Sequence, residues 1–307
     1  MELNKKGSVL IFVLIFIAFA ASTVLLIHER SIKSIEESSG DFLENQAHIY
    51  AMTALSAMVE VLKDDDSIYD SRMDSWTLIP VVEVPYGFVS VDIIPLSGKI
   101  ALNGLASKDE AIAARYMAAC ETIATEMEAD SLECAVIKDY IDSDTTVTAG
   151  GEEGALYEYN GAEFRTKNAP LSSLFELRIL MNNYEEFAKV KDYFTVYSPD
   201  DTLNINFASK LAIEAFLPEI SQVAQDIESY SKTKEYKDPS NIQEAAYLEE
   251  EVYLKVLPLI SVKSSLFYVK TEVTLNDEPR YYHALVKKDG ASSQVVNFTA
   301  GLNGHYY

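Results

Sequence analysis

Basic residues are scarce in this 307-residue chain: 25 lysines and arginines stand against 48 aspartates and glutamates, a formal charge of −23. Such a surface repels a phosphate backbone, which argues against nucleic acid as a partner. Cysteine is scarcer still. Cys120 and Cys134 are the only two, so no CxxC motif or Cys/His cluster offers a zinc site. The four histidines are His28, His48, His283 and His305, which leaves none between residues 49 and 282. G-x-S-x-G, GxGxxG and Walker-type glycine loops are absent as well. No enzyme is expected.

Apolar material is plentiful. Hydrophobic residues make up 48% of the chain, with 19 tyrosines and 13 phenylalanines, enough for two ordinary domains or one domain with a large insertion. Between Val9 and Ile27 no charge occurs, and only Ser22 and Thr23 are polar. At 1.5 Å per residue this stretch spans about 28 Å, close to the hydrocarbon thickness of a bilayer. Lys5 and Lys6 precede it, which puts the N-terminus in the cytoplasm and the bulk of the chain across the membrane. The expected location is therefore the cell inner membrane, crossed once, with the bulk periplasmic.

A cleaved secretory signal is the competing reading, and Ala18, Ala20 and Ala21 supply small residues for it. A plain signal anchor is the other. Lys5-Lys6-Gly7-Ser8 directly before the apolar run resembles a type IV prepilin leader. That resemblance implies cleavage between Gly7 and Ser8 by a prepilin peptidase, with the membrane helix retained.

Beyond the span, Phe42, Ile49, Met52, Leu55, Val59 and Leu62 recur at helical spacing, so an amphipathic helix continues to Asp64-Asp65-Asp66. Strand signals follow over 77–96, broken at Pro85-Tyr86-Gly87. A second strand block closes the chain over 261–275, 281–287 and 293–298, with turns at Asn276-Asp277 and Lys288-Asp289-Gly290. Residues between the blocks read mostly as helix. The expected fold class is α+β: a long N-terminal transmembrane and amphipathic helix, an antiparallel sheet, and a large α-helical inserted domain. The boundaries are 1–7 for the leader, 8–63 for the helix (membrane part 9–27), 64–103 and 258–307 for the two sheet-forming parts, and 104–257 for the insertion. Within the insertion, residues 102–108 echo 204–210, each before an apolar helical run. Ser107 with Glu110, and Ser173 with Glu176, read as capping boxes.

Several segments together resemble general secretion pathway protein K, the large minor pseudopilin of type II secretion. They are Gly98-Lys99-Ile100-Ala101-Leu102-Asn103, Asp139 to Asp144, Gly150-Gly151-Glu152-Glu153, Asn168-Ala169-Pro170-Leu171, Glu176-Leu177-Arg178, Tyr193 to Val196, Asn204-Ile205-Asn206 and Ser264 to Phe267, in family order. The resemblance implies a pilin-like fold. It also implies a role in the tip complex that initiates and caps the periplasmic pseudopilus, through which folded proteins leave across the outer membrane. Partners implied are the other minor pseudopilins, the major pseudopilin and the prepilin peptidase. Most pilin-like proteins carry Glu as the fifth mature residue; this chain has Phe12, and in the protein K family that glutamate is characteristically missing. A carboxylate in the bilayer is expensive unless paired. A tip subunit has no neighbour on one side to pair with, and Phe12 with Phe16 would dock the membrane helix by apolar contact instead. A minor pilin of a type IV pilus and a signal-anchored periplasmic enzyme are the rival readings.

Asp142, Asp144, Glu152 and Glu153 gather hard oxygen donors beside two glycines, with Asp139 and Glu158 as further candidates. Calcium takes six to eight such oxygens; a solvated acidic loop is the alternative. Val147 stands where an EF-hand needs glycine. Family members bind calcium in the inserted domain, which the resemblance extends to this chain. Cys120 and Cys134 are read either as a disulfide, permitted outside the cytoplasm, or as two buried thiols. Helices expected over 113–127 and 132–141 would bring them near each other.

Overall fold

The structure, a computed structural model, describes residues 22–25, 28, 40–65, 68–154, 156–159, 162–197, 200–290 and 292–301. The leader, Gly7, Ser8, Phe12, Phe16 and most of the expected membrane span lie outside the described residues. Among the described residues no helix is long and apolar enough to cross a membrane. The chain divides into two compact units, Met1–Met52 and Thr53–Tyr307.

Helix α1 covers residues 40–63. Its buried positions are Leu43, Ala47, Ala51, Leu55 and Leu62, four or seven apart. This corrects the expected stripe in its first half, where Phe42, Ile49 and Met52 are exposed. The expectation weighed large apolar side chains. The buried positions there are Leu43, Ala47 and Ala51, and alanine gives only a weak apolar signal.

In the second unit, five strands make one antiparallel sheet in the order β1 (Val82–Val84), β2 (Gly87–Pro95), β9 (Leu266–Leu275), β10 (Glu278–Asp289) and β11 (Ser292–Gly301). Strands from the two ends of the sequence therefore meet at β2 and β9, where Gly87 pairs with Leu275 and Pro95 with Phe267. Pro85-Tyr86 forms the β1–β2 turn, with Tyr86 at φ 73°. A Cβ on Gly87 would fall 1.8 Å from the Thr274 carbonyl oxygen, so only glycine lets β2 approach β9 here. Asn276 and Asp277 both take positive φ in the β9–β10 turn, the backbone that a tight hairpin demands.

Residues between β2 and β9 supply the helices α2 (Glu110–Glu126), α3 (Cys134–Ile141), α4 (Phe175–Met181), α5 (Tyr184–Val190), α6 (Lys210–Phe216), α7 (Ala224–Ser231) and α8 (Glu250–Val256). Short strands interrupt them. The hairpin β4 (Leu156–Tyr159) and β5 (Ala162–Arg165) stands alone, while β3 (Ile100–Ala101) pairs in parallel with β6 (Phe194–Thr195), and β7 (Leu203–Asn204) with β8 (Ile260–Ser261). The main core lies among these helices, around Leu105, Ile123, Phe194, Phe216 and Tyr236.

Helix starts follow local chemistry. Asp109, not Ser107, caps α2, accepting from the amides of Ala111 and Ile112; the carboxylate sits two residues nearer the helix than the hydroxyl, at the N-cap itself. At α4 the N-cap is Leu174, which makes no side-chain cap, and the Ser173–Glu176 device forms only in part, one residue earlier. Glu176 Oε1 accepts from the Ser173 amide at 3.3 Å, and Ser173 Oγ accepts from the Phe175 amide at 3.1 Å. Cys120 on α2 and Cys134 at the start of α3 form a disulfide, with Cα atoms 6.0 Å apart.

Candidate metal centre

The motifs scattered along the sequence converge in space. Asn103 donates to the carbonyls of Leu171 and Val196 and accepts from the Leu171 amide, joining three of those segments through one side chain. Asn206 is fully buried, donates to the carbonyls of Asp70 and Tyr236, and accepts from the Tyr236 amide. Asn204 donates to Ser264 Oγ at 3.0 Å. Buried amides must find partners, so these asparagines dictate which loops lie together.

Two clusters of carboxylates form in the same scaffold, and their electrostatics differ. In the first, Lys288 of β10 donates to Asp65 Oδ2 at 2.8 Å and reaches Asp70 Oδ1 at 3.3 Å. Asp70 Oδ2 accepts from the Ser264 amide, the Trp76 indole donates to Asp65, and Asp74 accepts from the Ser71 amide. Burial raises the Asp70 carboxyl above its usual range, offset by the Ser264 amide and Lys288. An internal cation already holds this group together. It is a structural clasp.

The second cluster lies after α3. Asp142 ends that helix, and the loop to Gly154 brings Asp142, Asp144 and Glu153 together, with one carboxylate oxygen from each within 4.8 Å of the others. Asp139, fully buried one turn earlier, accepts the Thr148 amide with both oxygens at 3.1 Å and shapes the loop. A Cβ on Gly151 would meet Asp139 Oδ2 at 2.2 Å, and Gly150 takes φ 83°. Those two glycines let the chain turn tightly against a buried carboxylate. Asp144 accepts from the Thr146 amide at 2.7 Å.

This cluster lacks what the clasp has. Asp142 Oδ1 and Glu153 Oε1 are buried with no donor. Burial, then Asp144 and Asp139, pushes the Asp142 carboxyl up; Lys138 works the other way. Burial, then Asp142, Asp139 and Asp144, raises Glu153 too. Crowded carboxylates with orphaned oxygens are the donor set a hard divalent cation takes, and the residues fit calcium. Of the four residues singled out in the sequence, three come together. Glu152 is exposed and outside the cluster, and Glu158 lies in β4. Sequence reasoning missed the clasp, because nothing local links Lys288 to Asp65 across the length of the chain.

The class the geometry defines is an α+β protein in which strands from both ends of the chain close one antiparallel sheet around a helical insertion. Comparison with known proteins makes it particular. Residues 98–199 match the family model for type II secretion system (T2SS), protein K. Along 96% of its length the chain is 23% identical to the type II secretion system protein K of Pectobacterium carotovorum subsp. carotovorum, covering 96% of that protein. Its fold is similar to a chain in the crystal structure of the GspK–GspI–GspJ complex from the enterotoxigenic Escherichia coli type 2 secretion system. The TM-score is 0.72 at 18% identity, over 87% of this chain and all of that one. The resemblance to protein K carried by the sequence motifs therefore holds.

Proposed function

We propose that this chain is a minor pseudopilin of the type II secretion system, a subunit of the tip complex that initiates and caps the periplasmic pseudopilus for export of folded proteins. The observation that carries this reading is similarity to protein K that runs through the insertion and extends over nearly the whole chain. In this role the protein binds and does no chemistry. Its partners are the other minor pseudopilins, as in the GspK–GspI–GspJ complex, together with the major pseudopilin and the prepilin peptidase. Exposed Phe42, Ile49 and Met52 on α1 give that helix an apolar face for neighbouring helices.

The finer assignments belong to the same proposal. Residues 9–27 anchor the chain in the inner membrane after cleavage between Gly7 and Ser8, and Phe12 and Phe16 dock the membrane helix. Asp142, Asp144 and Glu153 hold calcium in the inserted domain. When bound, the cation would neutralise the carboxylates and fix the loop after α3.

Deletion of the whole protein tests the function. Secreted proteins should accumulate in the periplasm, and affinity capture of the full chain from membranes should recover the other minor pseudopilins. Normal secretion after deletion would remove the functional reading. Intact mass of the membrane-extracted chain tests processing, and a mature terminus near Ser22 would sink the pilin-like assignment.

A further inference from the structure

The disulfide and the acidic loop sit at opposite ends of one short helix. The bridge holds Cys134, the first residue of α3, against Cys120 of α2, with Cα atoms 6.0 Å apart. At the other end stands Asp142, the C-cap of α3 and one of the three carboxylates gathered there. The helix between them has eight residues, a length of about 12 Å at 1.5 Å per residue.

The two turns of α3 are held by different means. Its N-cap, Glu133, makes no side-chain cap bond, and a helix this short is not stable by itself. Toward the C-terminus, Ile137 and Ile141 are buried, and the Tyr140 carbonyl accepts from the Asn168 amide at 2.9 Å. The uncapped first turn has the disulfide as its covalent hold. The acidic loop then folds back onto that same turn. A Cβ on Gly151 would stand 2.9 Å from the Ala135 carbonyl oxygen, and one on Gly150 would lie 4.0 Å from Ala135 Cβ. Ala135 directly follows Cys134, and Glu153 comes two residues after Gly151. Asp142 and Glu153, the two members with orphaned oxygens, are thus both placed by α3, one from each end.

We propose that Cys120 and Cys134 are positioning residues for the cation: their bridge preorganises the loop, so calcium binding and the disulfide are thermodynamically coupled. The inference rests on the calcium reading and adds a redox dependence to it. With the bridge open, the first turn of α3 frays, and calcium has to order it on binding. Linkage makes the effect reciprocal. Calcium favours the bridged form over the dithiol by the same factor.

The full chain in detergent is titrated with calcium, read by competition with a fluorescent chelator. The double variant Cys120→Ala with Cys134→Ala should bind calcium more weakly by about fivefold or more. Lys288→Met, which destabilises the chain at the clasp, should bind as the unsubstituted chain does; that separates positioning from loss of stability. A second arm needs no cysteine variant. The unsubstituted chain is equilibrated with mixtures of reduced and oxidised dithiothreitol, which exchange two electrons and two protons with the cysteine pair. Thiols are counted by alkylation and mass. Calcium should move the midpoint toward more reducing mixtures, and in Asp142→Asn it should not. Equal calcium affinity with and without the bridge, or a midpoint that calcium leaves in place, would overturn the coupling while the calcium reading stands. No calcium binding by the unsubstituted chain would remove both.

Discussion

Lys288 and Asp65 meet at 2.8 Å although 223 positions separate them. The contact ties the end of α1 to the penultimate strand of the sheet. Both side chains are largely removed from water, and Asp70, the third member, is 4% exposed. Taking one partner from a buried pair leaves an uncompensated charge. Lys288→Met is therefore expected to cost about 3 kcal/mol. Urea unfolding of Lys288→Met, Asp70→Asn and the double variant checks this. The double variant should lose clearly less than the two single losses combined, because the sites are coupled. Strict additivity would mean that the ion pair contributes nothing.

The disulfide between Cys120 and Cys134 closes a short loop joining α2 to α3, and both residues are buried. In the chain-entropy account a loop of about 15 residues stabilises by roughly 3 kcal/mol. Replacing both cysteines with alanine should lower the unfolding free energy by about that amount. Reductant should destabilise the native chain and leave the double variant unmoved. Reductant acting equally on both would show that the bridge is not the source.

How much of this was legible beforehand depends on the range of the interaction. Turn chemistry at Pro85-Tyr86-Gly87 and Asn276-Asp277 is local, and the hairpins there fall where the residues put them. The helices carrying Cys120 and Cys134 start and end close to expectation for the same reason. The face of α1 was misread over its first half because alanine gives a weak apolar signal, while Phe42 and Ile49 give a strong one. Lys288 was read only as part of a turn. Its pairing is set by tertiary packing, which no window of sequence contains. At the acidic loop, residue types suggested the cluster, but the fold decides that Glu153 turns inward and Glu152 outward.

The acidic loop gives a test in which the sign of an effect reverses. Without a cation, Asp142 is repelled by Asp144 and Asp139 and is pushed up chiefly by burial. Asp142→Asn should then stabilise the full chain in chelator. With calcium at a hundredfold excess over its dissociation constant, the unsubstituted chain gains about 2.7 kcal/mol, and the same substitution should forfeit most of it. Melting temperatures of both chains, in calcium and in chelator, read the reversal. The calcium assignment does not survive if the substitution acts in the same direction in both conditions.

Lys99 supplies the pH dependence. Burial pushes its folded-state value down to about 8, from an ordinary 10.5. Below pH 8 the residue is charged in both states, and the folded chain bears the full cost of desolvation. Between about pH 8 and pH 10.5 the folded chain can shed the proton while the unfolded chain still holds it. Stability attributable to Lys99 therefore rises across that window, because the unfolded state binds more protons there. Lys99→Met removes the cost at every pH. The variant should exceed the unsubstituted chain by on the order of 2 kcal/mol near pH 7, and the gap should close as pH approaches 10.5. Urea midpoints at several pH values measure the difference, which isolates Lys99 from other groups titrating in the same range. A constant gap would mean that the ammonium is not desolvated in the folded chain.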